Sequence, residues 1–249
     1  MSGPSRSITS PKRRFLPTRN ALGDYLHSPS SLPPSVLVTS SPSFVTIRDK
    51  FPKSSIHLLL LPRDPAINVQ HPLTVFSSPS NAAFLEEVKL EVSRLKTAVA
   101  TELQRKYGGS KQWWAKEGNV RVGVHARPSM NHLHVHIISA DMVGSGMKKP
   151  KHYFTFNTSF LVGLEEFPLS KDDERWKSGW VEKVLEGDLR CWRCGKSWGR
   201  AWKKFREHLE EEAEAWRKEG ARSVDVGEEE KGIIGKEDRE IEEHEDYDG

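Results

Sequence analysis

The chain has 249 residues, of which 36% are hydrophobic and 29% charged. That composition predicts one large or two small soluble globular domains and excludes a fibrous protein, and the longest apolar run, Leu58–Leu61, falls far short of the roughly 20 residues that span a bilayer. The net charge of +3 is unevenly spread: residues 221–249 hold 12 acidic against 4 basic side chains, a net of −8, so residues 1–220 carry +11, a balance that suits a polyanionic partner such as nucleic acid.

Residues 1–19 mix Ser, Pro, Lys and Arg without periodicity and read as a flexible basic arm. No apolar stretch follows Met1, so no secretory signal is expected. Pro11-Lys12-Arg13-Arg14 is a short candidate nuclear-import patch. Residues 20–26 predict a short helix. Val36–Thr39 and Phe44–Arg48 are rich in β-branched residues and predict two strands, and Ile56–Leu61 predicts a third, buried on both faces. Phe84, Val88, Val92, Leu95, Val99 and Leu103 recur at steps of three and four, the stripe of one amphipathic helix. Ser80 or Asn81 is placed to cap it, and Gly108-Gly109 to end it. Val120–Val124 and His132–Ser139 predict two more strands. Strands, then a helix, then strands predict an α+β domain with an antiparallel sheet.

Past Phe167 the texture changes. Glu174–Leu185 and Gly199–Glu219 read as helical and flank the two cysteines, Cys191 and Cys194. This span is too short for a large core and calls for a metal or for support from the first domain. Two cysteines exclude a disulfide scaffold and fit a reducing compartment. The domain plan is therefore an arm over 1–19, a main α+β domain over 20–168, a small second module over 169–220 and a disordered acidic tail over 221–249.

The most informative segment is His132-Leu133-His134-Val135-His136-Ile137-Ile138. On a strand, alternate side chains share a face, so three imidazoles would line one surface while the apolar residues face the core. Near neutral pH such a row offers a nucleophile, proton donors and phosphate ligands together. A zinc site on alternating histidines, or an incidental histidine-rich surface strand, satisfies the same spacing.

These residues resemble the histidine-triad signature, His-φ-His-φ-His-φ-φ with φ apolar. The flanks narrow the resemblance to the aprataxin family. They are Asp49-Lys50-Phe51-Pro52-Lys53 with His57 and Leu61-Pro62, then His125-Ala126-Arg127-Pro128-Ser129-Met130-Asn131, then Lys151-His152-Tyr153-Phe154-Thr155-Phe156-Asn157-Thr158. The resemblance runs from about residue 20 to residue 215. It implies a histidine-triad fold followed by a small zinc finger, and a hydrolase that removes AMP from a DNA 5′ end left by an abortive ligation in single-strand break repair. The partner it implies is DNA with 5′-adenylated ends or nicks, the product is AMP, and the location is the nucleus. By position His134 is the implied nucleophile. His132 and His57 are implied to orient its ring, and His136 to contact phosphate oxygens and assist the leaving group. Lys53, His125 and Ser129 fall where the family contacts the nucleotide phosphates, with Asp49 and Ser139 further nucleotide-binding positions. The chain is expected to lack the N-terminal forkhead-associated domain of animal aprataxins, so recruitment by that route is not expected.

Cys191-Trp192-Arg193-Cys194 is followed after 13 residues by His208 and, one helical turn later, by Glu212. A C-x2-C pair, a spacer near 12 and an i, i+4 ligand pair is the spacing of a two-cysteine zinc finger, here with Glu212 in place of the usual second histidine. The fingers of fungal-type aprataxins resemble this arrangement. Glu211, at i+3, competes for the fourth place. The expected cofactor is a structural zinc ion, with no catalytic metal. Trp192, Arg193, Lys196, Trp198, Arg200, Lys203, Lys204 and Arg206 suit phosphate contact and base stacking, although Trp198, Trp202 and Phe205 also suit a small finger core. Two other readings stay open: a general histidine-triad nucleotide hydrolase or phosphoramidase, which needs no finger, and a DNA-binding module without catalysis, which needs no intact triad.

Overall fold

The computed structural model describes residues 19–224; the basic patch at 11–14 and nearly all of the acidic tail lie outside them. Six strands form one antiparallel sheet: β1 (Leu37–Ser40), β2 (Phe44–Arg48), β3 (His57–Pro62), β4 (Val120–His125), β5 (Val135–Ser139) and β6 (Leu161–Val162), in the order β1-β2-β3-β5-β4-β6. The helices are α1 (Gly23–His27), α2 (Pro72–Ser77), α3 (Ala82–Tyr107), α4 (Lys111–Ala115), α5 (Pro150–Asn157), α6 (Trp180–Leu185) and α7 (Trp202–Ala221).

Strand parity sorts the side chains. Leu58 and Leu60 of β3, Val120 and Val124 of β4, and Val135 and Ile137 of β5 share one core with Leu85, Val88, Val92, Leu95, Val99 and Leu103 of α3. The period-3.6 stripe and the period-2 alternation thus meet face to face. The opposite parity, His57, His125 and His136, is left for the other face. No side-chain cap forms on α3, because the Asn81 amide donates to the Val75 carbonyl at 3.1 Å and a 3-10 turn, Pro79–Asn81, leads into the helix instead. Gly108, with φ at 82°, ends it as expected.

The expected strand His132–Ser139 begins only at Val135. The Asn131 amide donates to the Arg19 carbonyl at 2.8 Å and the Leu133 amide to the Asn68 carbonyl at 2.7 Å. Backbone groups engaged by other segments cannot join a ladder, so the chain peels off the sheet there. The helical expectation for Glu174–Leu185 resolves into a 3-10 turn, Glu174–Trp176, and the short α6, separated at Gly179, whose φ is 83°. The Pro150–Asn157 helix buries the four consecutive residues Tyr153–Phe156, so it carries no helical period to read from the sequence.

The second module does not stand alone. Leu189, Cys191, Phe205 and Leu209 share one core with Tyr153, Phe154 and Phe156 and with Ile138 of β5. The Tyr153 ring meets Phe205 edge-on at 4.7 Å, and its hydroxyl donates to the Arg190 carbonyl at 2.7 Å. Support from the first domain, one of the two aids so short a span requires, is therefore present.

Candidate active site and metal centre

Register brings the histidines together. His136 of β5 lies opposite Leu59 of β3 and Gly123 of β4. His57 and His125 are each two residues along those strands, hence diagonal neighbours on the same face. His57 Nε2 is 2.9 Å from His136 Nδ1, and the His125 and His136 rings are 4.3 Å apart. The His134 ring stands 4.8 Å from that of His136. Phe156 closes on His57, His125 and His136 at 5.3, 4.7 and 5.0 Å.

The hydrogen bonds assign the ring protons. The Lys53 amide donates to His57 Nδ1 at 3.2 Å. His57 therefore carries its proton on Nε2 and donates it to His136 Nδ1. His136 then keeps a proton on Nε2, a buried atom with no partner among the described residues. His134 Nδ1 is 2.7 Å from the His132 carbonyl, which can only accept, so the lone pair of His134 sits on Nε2.

Electrostatics agree with neutral rings. Burial pushes His57 down to about 4, with the Asp49 carboxylate opposing it from 3.5 Å. Burial also lowers His134, and it lowers His125 and His136 well below the usual range, where neighbouring histidines add to the effect. Burial lowers Lys53 as well, while Asp49 draws it back up.

Beside the cluster opens a pocket of about 590 Å³, walled by His134, His132, His125, Arg127, Met130 and His71 among others, within the size range of small-molecule sites. Arg127 lies in a family-like flank without an assigned role, and the Val69–Pro72 segment carries no sequence signal. That segment reaches the pocket because the Leu133 amide fastens to Asn68 and draws the loop against the triad.

Several expected placements need correction. His57 bonds to His136 rather than to His134, because β3 and β5 pair so that its ring faces that neighbour. His132 acts on His134 through its backbone carbonyl, while its ring lies against α1, so close that a Cβ on Gly23 would stand 2.8 Å from it. The three triad rings consequently do not form one row. Ser139 is fully buried and committed: its hydroxyl donates to Asp141 Oδ1 at 2.6 Å and accepts from the Ile56 amide at 3.0 Å. It has no access to a ligand. Ser129 is exposed between the wall residues Pro128 and Met130. Asp49 holds the turn before Lys53, its Oδ1 accepting from the Phe51 amide at 2.6 Å. The Lys53 ammonium bonds to the Phe51 carbonyl.

In the second module, the Gly195 amide closes a knuckle on the Cys191 carbonyl at 3.0 Å, with Gly195 at a φ of 72°. Donor atoms of Cys191, Cys194, His208 and Glu212 all lie within 4.8 Å of one another. Cys194 Sγ is 3.2 Å from His208 Nε2, and Glu212 Oε1 is 3.6 Å from that same nitrogen. Two thiols, an imidazole and a carboxylate converging at this spacing fit a tetrahedral zinc ion. Glu211 approaches the other ring nitrogen, Nδ1, at 3.9 Å, which removes it from the set. Phe205 is fully buried in the shared core, and the Trp198 ring lies tilted against His208 at 4.9 Å. All three of the expected phosphate-binding arginines are internally engaged. Arg193 pairs with Glu212 and Glu219, Arg200 donates to the Leu185 and Gly187 carbonyls, and Arg206 donates to Met147 and Glu210. Lys196, Lys203 and Lys204 remain exposed.

The sheet and histidine cluster define a histidine-triad-like fold joined to a C-terminal zinc-finger module. Residues 28–152 match the family model described as scavenger mRNA decapping enzyme C-term binding, and residues 157–215 match the C2HE / C2H2 / C2HC zinc-binding finger. The chain is 34% identical to an aprataxin-like protein of Schizosaccharomyces pombe over 199 residues, covering 80% of this chain and 82% of that one. It is 31% identical to an aprataxin-like protein of Saccharomyces cerevisiae, covering 77% of this chain and 94% of that one. Among solved structures, the aprataxin ortholog Hnt3 in complex with DNA superposes with a TM-score of 0.70 at 32% identity, covering 82% of this chain and 98% of that one. The chain belongs to the aprataxin-like family.

Proposed function

We propose that this chain is a DNA 5′-adenylate hydrolase, a phosphoric-anhydride hydrolase that releases AMP from abortive ligation ends in single-strand break repair and works in the nucleus. The observation that carries the reading is the proton assignment: a neutral His134 with its lone pair on Nε2 at the pocket, beside a His136 that retains an Nε2 proton. His134 Nε2 attacks the AMP phosphorus, a P–N bond forms, and the bridging P–O bond breaks. The DNA 5′-phosphate leaves, and His136 Nε2–H stabilises the departing oxygen. Water then attacks the same phosphorus, the P–N bond breaks, and AMP departs while His134 returns to its neutral form. Lys53 and His125 border the phosphate-handling end.

Residues 20–168 supply this chemistry and 169–220 form the finger. Zinc held by Cys191, Cys194, His208 and Glu212 would supply structural cross-linking of the knuckle to α7 and no catalytic step. The DNA complex of the Hnt3 relative supports a nucleic-acid partner. So do the exposed Lys148, Lys149 and Lys151 at the start of α5, two of which act electrostatically on His152 together with Lys53.

The test is incubation of wild type and His134→Ala with 5′-adenylated nicked DNA and, in parallel, with a small AMP phosphoramidate. Wild type should release AMP from DNA far faster than from the small compound and trap as a covalent AMP adduct. The variant should bind DNA and release no AMP. Faster turnover of the small compound would favour a general nucleotide hydrolase, and no turnover of either would leave a DNA-binding module.

A further inference from the structure

Asp141, just beyond β5, is a fully buried carboxylate. Neutral donors from its own domain reach it: Ser139 Oγ at 2.6 Å, Ser55 Oγ at 2.6 Å and the Ser55 amide at 3.2 Å. The charged donor comes from the other module. Arg217 of α7 places Nη2 at 3.1 Å from both Asp141 Oδ2 and Ser55 Oγ, with its guanidinium 5.2 Å from the Tyr107 ring. Tyr107 in turn contacts Ser55 Oγ at 2.9 Å.

This junction lies one step from the catalytic histidines. Ser55 belongs to the turn between Lys53 and His57. The same turn is clamped to the segment after Asp141 by the Gly144 amide on the Lys53 carbonyl, the Gly146 amide on the Pro52 carbonyl and the Met142 amide on Ser54 Oγ, at 3.0, 2.7 and 3.0 Å. The Lys53 amide then sets the proton position of His57, and His57 that of His136. A continuous chain of contacts therefore runs from α7 through Asp141 and the 53–55 turn to His57 and His136. The helix is firmly seated for this task. Trp216 meets Trp114 edge-on at 4.9 Å and donates to Asn119 Oδ1 at 2.8 Å, so the residue before Arg217 is fixed on the first domain.

We propose that Arg217 is a positioning residue: from the C-terminal half of the finger helix it holds the Asp141–Ser55 junction, and through it the His57–His136 pair, in the geometry the reaction needs. A charge-assisted bond to a buried carboxylate is strong and directional, so it can fix a turn that neutral hydroxyls alone would leave adjustable. The finger module thus contributes to the chemistry and not only to DNA contact. The proposal rests on the reading of His136 as the group that serves the leaving oxygen.

The experiment uses the full zinc-loaded chain with Arg217→Gln, Arg217→Lys and Ser55→Ala. The substrate is a small AMP phosphoramidate that needs no finger contact. Kinetics are normalised to the folded fraction from a thermal melt. Arg217→Gln should lower kcat about tenfold to a hundredfold with KM within about twofold, the scale expected of a misplaced catalytic group. Arg217→Lys should recover part of the loss, and Ser55→Ala should reproduce it. Ring nitrogen spectra should show the His57 and His136 signals moving in Arg217→Gln while His27 and His71 stay fixed. Unmoved His57 and His136 signals, or an unchanged kcat per folded molecule, would overturn the proposal. If wild type fails to turn over any adenylate, the hydrolase reading falls while the ring spectra still decide the coupling.

Discussion

His57 Nε2 donates to His136 Nδ1 at 2.9 Å, on two strands whose residues are 79 positions apart in sequence. The bond forces the His136 proton onto Nε2, the nitrogen without a partner among the described residues. In the proposed reaction His57 thus sets the proton position of His136, in the way a buried carboxylate sets the tautomer of a catalytic histidine elsewhere.

Replacing His57 should leave the pocket intact and spoil the tautomer. His57→Ala is expected to lower kcat by about a hundredfold, comparable to the loss of one general acid, with less effect on KM. Steady-state kinetics on an AMP phosphoramidate measure both. A KM effect larger than the kcat effect would place His57 in nucleotide binding instead.

Acid should destabilise the protein through these rings. His57 falls from 6.5 to about 4 on folding, and His125, His134 and His136 also fall, all chiefly through burial. Below 6.5 the unfolded chain therefore takes up protons that the folded chain refuses, so stability is complete above that pH and is lost as pH drops towards 4 and beyond. Each fully shifted ring contributes up to about 1.4 kcal/mol per pH unit across its window. Denaturant unfolding at pH 7, 6 and 5 should show a steady decline that His57→Phe makes shallower.

Metal retention should depend on Arg193. Its Nη1 holds Glu212 Oε2 at 2.7 Å, which leaves Oε1 turned toward His208. A second-sphere partner of this kind is worth about 10- to 100-fold in metal affinity. Competition of Arg193→Gln with a chromogenic zinc chelator should show that loss, while Lys203→Gln, an exposed neighbour on the helix, should bind zinc like wild type.

The seat of α7 tolerates no added atom at Gly220. A Cβ there would stand 2.3 Å from the Trp114 ring, which is itself fully buried. Gly220→Ala should destabilise by about 1–3 kcal/mol, the usual cost of overpacking, lowering the midpoint of thermal unfolding. An unchanged midpoint would mean that the end of α7 lifts away freely.

Much of this molecule was legible in one dimension because its signals are periodic or local. The 3.6-residue stripe of α3 names a buried face, and the unbroken apolar run of β3 names a strand buried on both faces, each without reference to the rest of the chain. The finger spacing works the same way: Cys191 and Cys194 share one knuckle, and His208 and Glu212 share one helical face, so sequence distance fixes spatial distance. The histidine motif with its flanks pointed to the family for the same reason.

Only the tertiary structure decided what the histidines touch. Strand pairing, a long-range choice, put His57 on His136 rather than on His134 and turned Ser139 inward to Asp141. The pull of Arg19 and Asn68 on the 131–133 backbone shortened β5 and sent the His132 ring to α1. Arg217 and Asp141 lie 76 residues apart and meet because α7 packs across α3 and α4. Such contacts carry no periodicity. They depend on which surfaces bury one another, and a residue's identity and neighbours in sequence hold no record of that.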